Sequence, residues 1–135
     1  MKIRRALPED YPKARRLALS LGLDYEGMEN DPVWIAEEKA RVVGVVSLRK
    51  HGDHYELCSL GVDPAYRNKS LGKKLVNTCV TAAAGDVYLA TVIPLFFEKC
   101  GFDEAERIPA SMRKDAAWCE GCDRALCRVM VKKAQ

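Results

Sequence analysis

The run from Val33 to Val62, VWIAEEKARVVGVVSLRKHGDHYELCSLGV, restricts the fold more than any other feature. Three β-rich stretches, VWIAEE, RVVGVVSLR and HYELCSLGV, are separated only by Lys39–Ala40 and by a turn at His51, Gly52 and Asp53. Links this short join strands as hairpins, because a parallel crossover needs a dozen or more residues. The centre of the chain therefore reads as an antiparallel meander. It ends at Asp63–Pro64, where a polar segment with one glycine and two adjacent lysines leads into an apolar, helix-like one.

The flanks set this meander in a larger pattern. KIRRA (Lys2–Ala6) reads as a first strand. Pro8, Glu9 and Asp10 mark a helix start, and Tyr11, Ala14, Ala18 and Leu21 recur at helical spacing up to Gly22. Residues 23–32, broken by Gly27 and Pro32, read as a loop or one short turn. Beyond the polar segment, Leu71, Leu75, Cys79 and Ala82 mark one face of a helix. DVYLATV is a strand, PLFFEKC a short helix from Pro94 that ends at Gly101, and FDEAER a strand. Residues 107–123 are irregular, and RALCRVMVKK closes with a strand. Such an order predicts a mixed α/β fold: one domain over residues 1–135, with helices on both faces of a mixed sheet.

Bulk properties exclude several classes. Twenty-two basic against nineteen acidic residues leave +3, too small an excess for a nucleic-acid partner, and no Lys/Arg run exceeds two. No apolar stretch reaches membrane-spanning length, and MKIRRALPEDY lacks the apolar core of a signal peptide. A cytoplasmic protein is expected. Cys58, Cys79 and Cys100, each among apolar neighbours, read as small buried hydrophobes.

The polar segment raises the functional question. A helix opening at Leu71 leaves its first amides without intrahelical partners. Asn68, Lys69, Ser70, Leu71 and Gly72 can aim successive N–H groups at one point, with Arg67, Lys69, Lys73 and Lys74 around them. A pyrophosphate suits such a site, and a solvated basic helix start that binds nothing is the bland alternative. There is no G-x-G-x-x-G, so a Rossmann site is unsupported. Lys74 after Gly72-Lys73, with no Gly at position 67, excludes a Walker loop.

ELCSLGVDPAYRNKSLGKKLV resembles the acetyl-CoA signature of the GNAT N-acetyltransferases, with Pro64, Tyr66, Arg67, Leu71 and Gly72 in register. FFEKCGF (Phe96–Phe102) is similar to the family's second marker, and the element order matches over residues 2–106. The resemblance implies a mostly antiparallel sheet of six to seven strands. It implies that the amides of residues 68–72 bind the pyrophosphate of acetyl-CoA, with Lys73 beside them. It also implies that the backbone of Leu60, Gly61 and Val62 pairs with the pantetheine arm. In the R/Q-x-x-G-x-G/A pattern the first Gly is replaced by Ser70, whose Cβ would crowd a phosphate if that position needs positive φ.

Acetyl transfer to an amine needs a base, since a primary amine is protonated at neutral pH. Glu56, eleven residues before Arg67, stands where family members carry a catalytic Glu. Strand alternation places Glu56 with Cys58, Leu60 and Val62, unless a bulge intervenes; a solvated strand Glu, or one paired with an Arg, is the alternative. His51 and His54 flank a turn and receive no role. Many family members have a Tyr as acid where this chain has Phe97, so water or backbone donors would have to protonate the departing thiolate.

The tail, IPASMRKDAAWCEGCDRALCRVM, resembles the ending of the N-acetylglutamate-synthase-like branch, with Pro109, Trp118, Cys119, Cys122 and Cys127 as counterparts. An amino-acid acceptor would need cations, for which Arg49, Arg107, Arg113 and Lys114 are candidates. The short 23–32 segment replaces a second helix, which would open the acceptor cleft. Cys119, Cys122 and Cys127 offer three ligands where structural zinc wants four, so free thiols are the simpler reading. The expected function is acetyl-CoA-dependent acetylation of a small amine in a ternary complex. A protein lysine or N-terminus as acceptor, or a CoA-binding regulator without turnover, are the alternatives. A homodimer is compatible with the sequence.

Overall fold

The computed structural model describes residues 1–67, 70–110 and 127–134. The meander forms as predicted: β2 (Val33–Glu38), β3 (Arg41–His51) and β4 (His54–Val62) follow one another through two-residue turns. Lys39 and Ala40 both take positive φ (50° and 65°), the left-handed geometry of a tight hairpin, here without glycine.

β1 (Lys2–Arg5) pairs with β2, and β5 (Asp86–Thr91) lies parallel to β4. Among the described residues, β7 (Arg128–Lys132) and β6 (Asp103–Glu104) complete a seven-stranded sheet in the order β1-β2-β3-β4-β5-β7-β6. The other pairings are antiparallel. The parallel β4–β5 step is bridged by α2 (Leu71–Ala82), the crossover a parallel connection needs. β6 is shorter than FDEAER suggested because Phe102 turns into the core and Ala105 leaves the ladder after one bond to Val129.

Helices cover both faces. α2 and α3 (Pro94–Lys99) pack on one, where Trp34, Val46, Leu48, Leu57, Leu75, Phe97 and Met130 form the larger core. α2 buries Leu71, Leu75, Val76 and Cys79. Ala82, expected on that stripe, is exposed: as the last helical residue it projects past the turns that meet the sheet, and Val76 takes its share.

α1 (Tyr11–Ser20) covers the other face through Ala14 and Ala18, whose small side chains let it lie close to Val33, Ile35 and Val45. Residues 23–32 contain one 3-10 turn, Met28–Asn30, and Met28 is buried in the same cluster. The segment is a loop with one short turn, as its sequence suggested, and it packs onto the sheet through Met28.

Candidate active site

The site is organised by a change of neighbours along β4. On one side β4 pairs with β3 from His54 to Val62. On the other it pairs with β5 only at His54, Tyr55 and Glu56, opposite Asp86, Val87 and Tyr88. From Leu57 onward β4 no longer pairs with β5, so among the described residues one edge of residues 57–62 is open, and Glu56 stands at the vertex where the two strands part. Asp63 N donates to Val43 O at 2.8 Å, which fixes the alternation of the ladder. Gly61 therefore turns its backbone groups to β3, while Leu60 and Val62 turn theirs to the open edge. Of the three residues expected to offer backbone there, two do so, and Val62 O already accepts from Arg67 Nε at 3.2 Å.

Register then decides which side chains meet. Ser47 opposes Ser59, but Leu48 opposes Leu57, so Cys58 is an extra residue in β4. This bulge overturns part of the alternation argument. Leu57 joins the core under α2, and Leu60 and Val62 pack against that core as well. Glu56, directly opposite Arg49, lies on the α1 side, where Ser59 Oγ donates to Leu23 O at 2.6 Å. Glu56 thus does not share a face with Leu60 and Val62. One inserted residue reverses the facing of everything beyond it.

The neighbours of Glu56 are polar. His51 Nε2 lies 2.9 Å from Glu56 Oε1. Strand periodicity passed His51 over, although the two-residue hairpin turn, which brings residues 51 and 54 into register, was a usable signal. Next to Glu56, Arg49 Nε donates to Asp31 Oδ2 at 3.1 Å, and its guanidinium lies 5.0 Å from the centre of the Tyr25 ring. Tyr25 Oη donates to Asp31 Oδ2 at 2.6 Å and meets Ser47 Oγ at 2.9 Å. Burial and the hydrogen bond to Asp31 raise the Tyr25 phenol well above its usual range. Burial, with the charge of Glu56 adding to it, pushes the Cys58 thiol up to about 12. Arg49, a candidate for an acceptor carboxylate, is committed to Asp31.

α2 begins at the far end of the open edge. Its first intrahelical bond is Lys74 N to Ser70 O at 3.1 Å, and among the described residues no side chain caps it. The amides of Leu71, Gly72 and Lys73 therefore lack helical partners. Lys73, Lys74 and Arg67 are exposed around them. Ser70 sits at φ 59°, the left-handed conformation that glycine adopts freely. A Cβ on Gly72 would stand 3.3 Å from the Phe96 ring, a tight contact that would press the ring back by a few tenths of an ångström.

A surface pocket of about 400 Å³ opens beside the vertex, lined by Asp53, His54, Asp86, Tyr88, Arg107, Ile108 and Pro109. Arg107 makes no ion pair among the described residues. Asn68, Lys69, Arg113, Lys114, Trp118, Cys119 and Cys122 lie outside the described residues. Among the described residues no three metal-ligating side chains come together, and no helix is long and apolar enough to cross a membrane.

Residues 29–104 match a family described as acetyltransferase (GNAT) domain. The chain belongs to the GNAT acetyltransferase family. Its reaction class is acetyl transfer from acetyl-CoA. Comparison with curated protein sequences gives no match. Among solved structures, Rv2747 from Mycobacterium tuberculosis in complex with CoA is 22% identical with a TM-score of 0.76, over the whole of both chains. N-acetylglutamate synthase from Neisseria gonorrhoeae, complexed with coenzyme A and N-acetyl-glutamate, is 20% identical with a TM-score of 0.76. That alignment covers 99% of this chain and 35% of the Neisseria enzyme, so the GNAT domain here spans about a third of its length. An aminoglycoside 6'-acetyltransferase type Ii is 21% identical with a TM-score of 0.73, over 98% of this chain and 97% of that one. At these identities the likeness is one of fold.

Within the GNAT domain, Phe97 is buried, with its ring edge-on to Phe96 and Phe102 at 5.0 and 5.8 Å. It is a core residue with no proton to give.

Proposed function

We propose that this GNAT domain acetylates the primary amine of an amino acid or a similar small molecule by direct attack within a ternary complex. The observation that carries this reading is the open edge of β4, which leads from the uncapped start of α2 to the Glu56 carboxylate. Pyrophosphate suits the free amides of Leu71, Gly72 and Lys73 together with Ser70, and the positive charge of Arg67. Asn68 and Lys69 complete the proposed loop by sequence. The outward backbone groups of Leu60 and Val62 suit the amides of the pantetheine arm, which would lie along β4 as an added strand. Gly61 contributes by keeping the opposite face small.

A thioester carried along that edge would approach the vertex, where Glu56 removes a proton from the acceptor ammonium. The neutral amine attacks the thioester carbonyl, a C–N bond forms, the C–S bond breaks, and the second proton lost by the nitrogen passes through water to the departing thiolate. An acetyl-cysteine route through Cys58 is disfavoured, because a thiol held at about 12 is scarcely ionised at neutral pH. The pocket beside His54 and Tyr88 is the proposed acceptor site, with Arg107 as the cation for a carboxylate. A peptide amine is the second reading, favoured by the exposure of that pocket's rim at Asp53, Arg107 and Ile108.

The test is mass spectrometry of products after incubation with acetyl-CoA and a pool of amino acids, polyamines and peptides. An enzyme-dependent gain of one acetyl group on an amino acid is the expected result. Acetylated peptides alone would move the acceptor to proteins. No product from a protein that binds acetyl-CoA would overturn the reading.

A further inference from the structure

A base at Glu56 must lose the proton it has taken before the next turnover, and the fold provides a neighbour for that purpose. His51 Nε2 meets Glu56 Oε1 at 2.9 Å, with the two side chains 23% and 16% exposed. The contact follows from the hairpin. His51 pairs with His54 and Arg49 pairs with Glu56, so His51 and Glu56 are diagonal neighbours on one face. His54 stacks on the His51 ring at 5.5 Å between centroids, and Tyr88 meets His54 edge-on at 5.4 Å. Asp53 holds His54 through Nδ1 at 2.9 Å. These contacts fix the plane of the His51 imidazole. Its other nitrogen, Nδ1, has no hydrogen-bond partner among the described residues.

We infer that His51 is a positioning residue for the reaction, orienting the Glu56 carboxylate through Nε2 and passing the proton that Glu56 collects on to solvent. This rests on the reading of Glu56 as the base. The acceptor ammonium gives a proton to Glu56, and the protonated carboxyl passes it to Nε2 of the Nδ1–H tautomer of His51. Nδ1 releases its own proton to water, and proton exchange with solvent returns the ring to the Nδ1–H tautomer. Glu56 ends ionised and His51 ends neutral, as they began. The charged and titratable groups facing the pair are Arg49 with Asp31, Asp53, His54, Cys58, and Tyr88 with Asp86 on β5.

The test uses His51→Gln and His51→Ala in the full chain, with kcat across pH and acetyl-CoA affinity measured for both. Gln can still donate a hydrogen bond to Glu56 but cannot carry a proton. Both variants are expected to lose about tenfold or more in kcat, to shift the acidic limb of the profile and to keep their acetyl-CoA affinity. Added imidazole should restore part of the rate of His51→Ala. His51→Gln running at full speed with an unmoved acidic limb would overturn the relay, as would a His51→Ala loss that imidazole leaves untouched. Glu56→Gln separates the two readings. If that variant is slow while both His51 variants are fast, only the relay falls; if it is fast, the base falls with it.

Discussion

The two halves of β4 differ in their neighbours, and that difference divides the work of the molecule. At His54–Glu56 the strand is hydrogen-bonded on both sides, and its α1-side face carries His54 and Glu56 among Arg49, His51 and Tyr88. At Leu57–Val62 it is bonded on one side only, its side chains are mostly small or apolar, and its free backbone points into the gap toward β5. The first half positions ionisable side chains against one another. The second is the half we propose as the template for the pantetheine arm. The bulge at Cys58 separates them and allows Glu56 and Leu60 to face opposite sides of one sheet.

If this division holds, variants in the two halves should fail in different ways. The largest effect is expected at the vertex. Glu56→Gln should lower kcat by about 100-fold or more while leaving acetyl-CoA affinity within about twofold, checked by steady-state rates and calorimetric binding. A smaller loss, in stability, is expected at Gly61. An added Cβ there would stand 2.7 and 2.8 Å from methyl groups of Leu23 and Leu21. Gly61→Ala should cost about 1–2 kcal/mol in denaturant unfolding, because the α1 side must shift to accommodate it. The backbone groups of Gly61 face β3, so acetyl-CoA affinity should change little in the fraction that folds. The smallest effect, and the opposite sign, belongs to Ser70. Relief of its positive φ in Ser70→Gly should stabilise the fold by about 1 kcal/mol in the same assay.

The fold was legible because its constraints are local. Two-residue turns, a proline at a helix start and a glycine at a helix end write themselves into short segments. β4 ran over the predicted residues, and so did the opening of α2 at Leu71. The placement of the candidate site's backbone was legible at the α2 terminus, where the helix opens at Leu71. The site was misread where register does the work. Strand alternation carries no mark of the extra residue at Cys58, since the bulge shows only in the register of β4 against β3. Likewise Arg49 looked free in sequence, because its partner Asp31 lies 18 positions away in a segment with no regular pattern. His51 was adjacent to Glu56 in space for a reason that the hairpin turn already contained.

The central claim is that the open edge of β4 and the start of α2 form one continuous seat for acetyl-CoA, ending at Glu56. Titration of the ¹⁵N-labelled protein with acetyl-CoA, followed by amide NMR, tests it most directly. The account predicts the largest shifts at the amides of Leu60, Val62, Leu71, Gly72 and Lys73, with a smaller one at Gly61, whose N–H is held by β3. Shifts centred on α1 and Met28, or a response at Gly61 as large as those of Leu60 and Val62, would contradict it.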